Sequence, residues 1–217
     1  MRWKVTLRLK SVASGVIVGL LVTACGGNEE PEERTTAAQQ CDGTLSSEAS
    51  HALERLLGTR EFDAAPLGGL GRSAEQLTGD YAKRKRSSLH PPMCRIGDGD
   101  NTDRIDITFG LYGDGELFGD IHPDGLHAYD LGQEAQSGRQ KAYLFVRCVS
   151  PQLDGTHERA ARIRGVLESR GFPLPDTPAT REANLTVLHS VTLAVVKKLG
   201  CVDNAGLSDE PVFKPKP

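Results

Sequence analysis

The chain lacks the short motifs that identify several enzyme classes. Its 217 residues contain no G-x-S-x-G or S-x-x-K sequence, which excludes the usual settings of a catalytic serine. No G-x-G-x-x-G loop is present to bind a dinucleotide, and no C-x-x-C pair to bind zinc. His157-Glu158 begins the H-E-x-x-H zinc motif, but Ala161 stands in place of the second histidine. No motif therefore indicates catalysis, and we predict no cofactor.

The chain also has no apolar run of transmembrane length. Its longest apolar stretch is 12–24, and these 13 residues are fewer than the ~20 that a spanning helix needs. No acidic residue occurs before Glu29, and four basic residues precede the apolar stretch: Arg2, Lys4, Arg8 and Lys10. A basic segment followed by a short apolar one is typical of a secretory signal. We therefore predict that residues 1–24 are a signal peptide.

The end of this signal, LVTACGG at 21–27, resembles the bacterial lipobox, in which the cysteine receives a lipid and the signal is cut just before it. The alternative is an ordinary signal followed by an incidental cysteine. We favour lipidation of Cys25 because the motif stands where the apolar stretch ends. The lipid would anchor the chain to the membrane on its extracytoplasmic face.

The rest of the chain is predicted to form one domain on a tether. Residues 25–40 carry the lipid cysteine and the polar segment GGNEEPEERTTAAQQ, which is typical of a flexible, solvated linker. The compact domain is predicted over 41–213, followed by a tail at 214–217.

The chain has a net negative charge. Its 26 basic and 29 acidic residues give −3, and loss of the four basic residues of the signal leaves −7. We therefore predict no binding of nucleic acid. One basic run, Lys83-Arg84-Lys85-Arg86, either ends a helix, where the helix dipole favours cations, or contacts an anionic polymer of the envelope. The sequence favours the helix end.

Four further cysteines predict two disulfides, because an even number outside the cytoplasm normally pairs. Three pairings are possible. We favour Cys41–Cys94 with Cys148–Cys201, since each pair then joins a cysteine beside a helix to one in a strand, with 53 residues separating the partners in both cases.

The hydrophobic periodicity predicts an α+β fold, an antiparallel sheet covered by helices. The predicted helices are 44–57, 73–83, 156–170 and 178–199. The predicted strands are 93–96, 104–112 and 141–149, with an edge strand at 117–121, and the first two form a hairpin.

This layout resembles the small exported lipoproteins of actinobacteria and, more weakly, DUF3558-like lipoproteins. The matching features are the lipobox, CDGTL at 41–45, YLFVRC ending at Cys148, LHSVTLAVVKKLGC ending at Cys201, and 17 arginines against 9 lysines. The resemblance implies a cell-surface location and supplies no catalytic residues.

Two polar clusters are candidate sites. Asp98, Asp100, Asp103 and Asp106 begin like a calcium loop, but Asp103 occupies the central glycine position and Phe109 the position of the bidentate glutamate. We favour a hairpin turn, with Asp98 and Asp100 as weak metal candidates.

The second cluster is GDIHPDGLHAYD, which contains Asp120, His122, Asp124, His127 and Asp130. Such residues bind divalent metals or act as acids and bases. We favour an ordinary polar loop, with His122, His127 and Asp124 as weak catalytic candidates and Asp120 as a weak metal candidate.

The sequence thus favours a non-catalytic, lipid-anchored binding domain whose partner is an envelope protein or polymer. Two alternatives stay open at this point: a metal-dependent or acid–base enzyme that uses residues 120–130, and a small-molecule-binding protein.

Overall fold

A computed structural model describes residues 34–97, 103–113, 115–119, 123–153, 159–171 and 174–216. Its strands are β1 (Arg34–Thr35), β2 (Phe62–Asp63), β3 (Cys94–Gly97), β4 (Arg104–Leu111), β5 (His127–Tyr129), β6 (Glu134–Ser137), β7 (Lys141–Cys148) and β8 (Ala161–Arg170). Its α-helices are α1 (Ser47–Leu57), α2 (Gly69–Ala82) and α3 (Pro178–Lys198). Strands β1 and β2 pair with each other, and the other six form one antiparallel sheet in the order β3-β4-β8-β7-β6-β5. The predicted α+β fold, an antiparallel sheet with helices, is confirmed.

Strand β8 lies in the middle of the sheet, between β4 and β7. Its residues alternate in burial because successive side chains of a strand point to opposite faces. Ile163 and Leu167 are fully buried in the main hydrophobic core, whereas Arg162 and Arg164 point to the other face. The sheet therefore has one apolar face, which carries the core. Its opposite face, which we call the polar face after its charged residues, also carries the packed rings of Tyr112, Tyr143 and Phe145.

Helix α3 packs on the apolar face and is itself covered by α1. Fourteen of its 21 residues are buried. Its close approach to the sheet requires Gly165, because a Cβ atom there would lie 2.9 Å from Phe109 Cε1 and 3.2 Å from Leu188 Cδ1. The buried hydroxyl of Thr192 donates to the Leu188 carbonyl one turn earlier, so this polar side chain is satisfied within the helix.

The start of α2 differs from the prediction. The helix begins at Gly69 rather than at Ser73, so the capping sequence that begins at Ser73 lies inside the helix. A remote side chain supplies the cap instead: Asp42 accepts hydrogen bonds from the backbone N–H groups of Gly68 at 2.8 Å and Leu70 at 2.7 Å. Such a carboxylate satisfies helix donors that local sequence leaves unpaired.

The helix predicted over 156–170 is wrong, because Ala161–Arg170 forms β8. The apolar residues of this segment fit a period of two as well as a helical period, and hydrogen bonding to β4 and β7 on both sides selects the strand. The edge strand predicted at 117–121 is not formed over its described part, 117–119. Strands β5 and β6 were not predicted, since both are short and carry polar residues.

Both predicted disulfides are present. Cys41 is joined to Cys94 and Cys148 to Cys201, with a Cα–Cα distance of 5.0 Å in each pair. The first links a short 3₁₀ turn to β3, and the second links the end of β7 to the segment after α3. Within the described ranges, no helix is long and apolar enough to cross a bilayer.

Removal of the Cys148–Cys201 disulfide by substitution of both cysteines with alanine should lower the free energy of unfolding by about 2–4 kcal/mol, because the unfolded chain gains conformational freedom. Urea unfolding measures this change, with the Cys41→Ala/Cys94→Ala variant as the matched comparison. Peptide mapping without reductant that joins Cys41 to Cys148 or Cys201 would contradict the assigned pairing.

His189 is a buried titratable group on α3, 1 % exposed. Burial lowers the pKa of its imidazole below the usual value, although a hydrogen bond to the Ser208 carbonyl and the charge of Asp209 oppose this effect and Lys197 adds to it. Its Nε2 atom has no hydrogen-bond partner among the described residues. The folded chain therefore favours the neutral form of this histidine.

This burial predicts a loss of stability as the pH falls below about 6.5, because the unfolded chain then binds a proton that the folded chain rejects. His189→Gln should flatten this part of the curve of unfolding free energy against pH, whereas His51→Gln, at an exposed position, should not. The same slope in wild type and His189→Gln would show that this histidine is not the cause.

Candidate functional site

The predicted site residues are not brought together in the part of the chain that the structure describes. Asp98, Asp100, Asp120 and His122 lie outside the described residues, as does Cys25. Asp124 and His127 are exposed, and His127 Nε2 lies 4.0 Å from Asp176 Oδ2. Across the described ranges, no three His, Cys, Asp or Glu side chains are close enough to hold a metal ion.

Asp106, the last member of the first acidic cluster, contacts arginines. Its carboxylate is buried on β4 and lies 2.7 Å from Arg95 Nε, 3.4 Å from Arg104 Nε and 3.8 Å from Arg170 Nε. A carboxylate surrounded by guanidinium groups has its acceptor positions committed to them. Asp106 therefore stabilises the polar face of the sheet.

A different group of residues forms the principal cleft. Two adjoining hollows of about 710 and 510 Å³ lie between the C-terminal end of α2, the end of β4 and the start of β8. They share Tyr81, Lys85 and Ala160, and we call them together the Ala160 cleft. Their cationic lining residues are Arg84, Lys85, Arg86, Arg159 and Arg162.

The end of α2 places two of these cations. Arg84 adopts the left-handed conformation, with φ of 54°. Its N–H donates to the Tyr81 carbonyl at 2.9 Å, and the Lys85 N–H donates to the Asp80 carbonyl at 3.1 Å. These two bonds define the Schellman motif, whose left-handed position is normally glycine because any Cβ atom is unfavourable there. The chain thus carries arginine at a position where its backbone is strained.

Lys85 is held by a buried carboxylate. Its Nζ lies 2.7 Å from Asp80 Oδ1, and His90 Nε2 lies 2.8 Å from Asp80 Oδ2. Burial alone raises the pKa of Asp80, but the hydrogen bonds from Lys85 and Ser88 and the charges of His90 and Lys85 outweigh it and lower the pKa. Asp80 therefore stays ionised at neutral pH and fixes the position of the Lys85 ammonium in the wall of the cleft.

The opposite wall of the cleft is the segment 159–162. Its carbonyl groups accept hydrogen bonds from α2 and from the residue that follows β4. The Tyr81 hydroxyl donates to the Arg159 carbonyl, and the Tyr112 N–H donates to the Arg162 carbonyl at 3.0 Å. Beneath this wall the Tyr112 ring packs edge-on against Phe145, with ring centroids 5.1 Å apart. Burial raises the pKa of Tyr112, although Arg162 and Arg147 lower it. The start of β8 is thereby held against the helix end.

The lining defines what this cleft can do. Among the described residues that line the two hollows there is no aspartate, glutamate, histidine, cysteine or serine. The described lining thus offers positive charge together with N–H and O–H donors, groups that can contact anions. A third hollow of about 420 Å³ adjoins at Ala160 and contains Arg147 and Asp203.

Comparison of the chain with protein-family models, with curated proteins and with solved structures gives no match in any of the three. The candidate site is therefore defined by the geometry of this chain alone.

The sequence singled out one segment of the cleft but favoured a helix end over a binding role for it. The basic run at 83–86 was visible, and the structure confirms that it follows the end of a helix. Its partners Arg159 and Arg162 were missed because the segment around them was predicted as a helix. The Asp80–His90 contact was also missed, since no sequence spacing indicates it.

The strain at Arg84 predicts that Arg84→Gly stabilises the fold by about 0.5–1 kcal/mol, because glycine adopts the left-handed conformation without a steric cost. The measurement is the midpoint of urea unfolding. Arg86→Gly, two residues further along and without a positive φ, is the matched control and should not stabilise. Destabilisation of both variants to the same extent would contradict this account of Arg84.

Proposed function

We propose that this chain is a lipid-anchored binding domain on the extracytoplasmic face of the membrane, and that its ligand occupies the Ala160 cleft. The observation that carries the proposal is this cleft, in which cations from two distant parts of the sequence line one cavity. Each of its two hollows, of about 710 and 510 Å³, lies within the several hundred Å³ typical of ligand sites. In this proposal the protein is of the kind that the small exported lipoproteins of actinobacteria represent.

The location rests on separate observations. The basic and apolar residues of 1–24 have the order of an export signal, and the lipobox-like LVTAC ends at Cys25. The two disulfides support an oxidising compartment, because such bonds persist outside the cytoplasm. The polar residues after Cys25 then separate the domain from the membrane surface.

Binding rather than catalysis is favoured by how the cleft is built. The Lys85 ammonium is paired with the buried Asp80 carboxylate at 2.7 Å, and this contact fixes its position in the wall of the cleft. Guanidinium groups such as that of Arg84 contact ligands through charge and hydrogen bonds.

The anchor is tested by fractionation of bacteria that process lipoproteins and express the full precursor. The wild-type chain should be found in the membrane fraction with a lipid on an N-terminal cysteine, measured by mass spectrometry, because the signal is cut before Cys25. Cys25→Ala should shift the protein to the soluble exported fraction.

Cys41→Ala is the matched control. It removes a cysteine that belongs to a disulfide, so this variant should remain in the membrane fraction. If Cys25→Ala fractionates like the wild type, or if the mature chain has an unmodified N-terminus, the anchored location is wrong.

A further inference from the structure

We infer that the loop 64–67 contacts the surface of the lipid bilayer in which Cys25 is anchored; this inference rests on the lipid anchor of the proposed function. The loop, Ala64-Ala65-Pro66-Leu67, connects β2 to the start of α2, whereas the Ala160 cleft lies at the other end of that helix. Leu67 is 80 % exposed, more than any other large apolar side chain of the described residues. No charged residue occurs from 64 to 71.

The tether from the membrane anchor joins the fold beside this loop. Residues 34–40 precede the predicted domain, yet they are part of the fold: Arg34 and Thr35 form β1, and Gln40 is fully buried. Strand β1 pairs with β2 so that Arg34 lies opposite Asp63, the residue directly before the loop. Arg34 Nη1 also lies 3.2 Å from Asp63 Oδ1. The chain that leads from Cys25 therefore ends at the base of the loop.

The length of the tether limits which surface can reach the bilayer. Nine residue steps lead from Cys25 to Arg34, and they span at most about 32 Å when fully extended. A domain of this length is about 40 Å across, so its far side cannot turn to the membrane while the anchor is embedded. Leu67 follows Asp63 by four residues and is at most about 14 Å from it. The tether therefore holds the loop near the bilayer.

The loop has a backbone suited to an apolar interface. Asp42 accepts hydrogen bonds from the N–H groups of Gly68 at 2.8 Å and Leu70 at 2.7 Å, which fixes the chain directly after Leu67. Pro66 has no N–H group. An unpaired donor makes transfer into an apolar medium costly, and these three positions present none. Single exposed apolar side chains are common on proteins, so it is this position and this backbone that distinguish Leu67.

A cation beside the loop fits the headgroups of phospholipids. Arg72 is exposed on the first turn of α2, and it lines a hollow of about 470 Å³ together with Pro66. Arg95 and Arg104 line the same hollow and are paired with Asp106. No ion pair in the described part of the chain includes Arg72. A guanidinium next to an exposed apolar residue is the pattern of segments that lie in the membrane interface, where the cation meets phosphate and the apolar side chain meets the acyl chains.

The test uses tryptophan fluorescence, because the only tryptophan of the precursor, Trp3, is in the signal. The lipidated chain with Leu67→Trp is reconstituted into phosphatidylcholine vesicles with or without bromine on the acyl chains, which quenches indole at short range. The emission should shift to shorter wavelength, and it should be at least about twofold weaker in brominated vesicles, since an interfacial residue reaches the boundary of the acyl chains. The exported Cys25→Ala chain with Leu67→Trp gives the reference emission in water.

Val212→Trp is the matched control. Val212 is 62 % exposed and precedes Phe213, whose ring packs on Tyr129 of β5, the sheet edge opposite to β3. Its emission should be the same in both kinds of vesicle. Both positions are exposed, so neither substitution should change the midpoint of urea unfolding, and a difference in quenching cannot be ascribed to unfolding.

Flotation of the vesicles separates this inference from the anchor. If both variants float with the vesicles and only Leu67→Trp is quenched, the inference is supported. If Leu67→Trp floats but emits equally with and without bromine, the inference is overturned while the anchor stands. Stronger quenching of Val212→Trp than of Leu67→Trp overturns it as well, because another face then meets the bilayer. If neither variant floats, the anchor of the proposed function fails, and the inference fails with it.

Discussion

The packing of α3 onto β8 is the contact on which the rest of the fold depends. Gly165 permits this approach, since a side chain there would collide with Phe109 and Leu188. Pairing with β4 and β7 places β8 at the centre of the sheet, and α3 covers its apolar residues, each contributing about 1.5–3 kcal/mol. The opposite residues, Arg162 among them, must then point to the polar face. The position of Arg162 in the cleft thus follows from the packing of the core on the other face of β8.

The cleft forms where the C-terminal end of α2 and the start of β8 are held together by hydrogen bonds. On one side the Schellman motif at Arg84 turns the chain sharply after α2. On the other, Tyr81 holds the Arg159 carbonyl, so the start of β8 cannot move away from the helix. The Cys148–Cys201 disulfide adds a covalent link near the same end of the sheet, because Cys148 pairs with Ala161 at the start of β8. A rigid frame of this kind lowers the entropic cost of holding cations together for a ligand.

Local patterns predicted those parts of the fold that depend on local interactions. The predicted helices 44–57 and 178–199 and the predicted strand 104–112 agree closely with α1, α3 and β4, and the cysteine pairs are those predicted. The errors occur where residues distant in sequence determine the local structure. Segment 161–170 is a strand because β4 and β7 pair with it. Helix α2 starts early because Asp42 caps it. The cleft could not be predicted for the same reason, because its lining residues Arg84 and Arg162 are 78 positions apart in the sequence.

The central claim, that this domain binds its ligand in the Ala160 cleft, is tested most directly by mapping backbone amide shifts by NMR during titration with inorganic triphosphate as an anionic probe. The account predicts that the amides of 83–86 and 159–162 shift together and saturate with one dissociation constant, while those of β5 and of the turn at Arg139 stay unchanged. Shifts spread evenly over all exposed basic residues, or confined to a region away from these two segments, would contradict it.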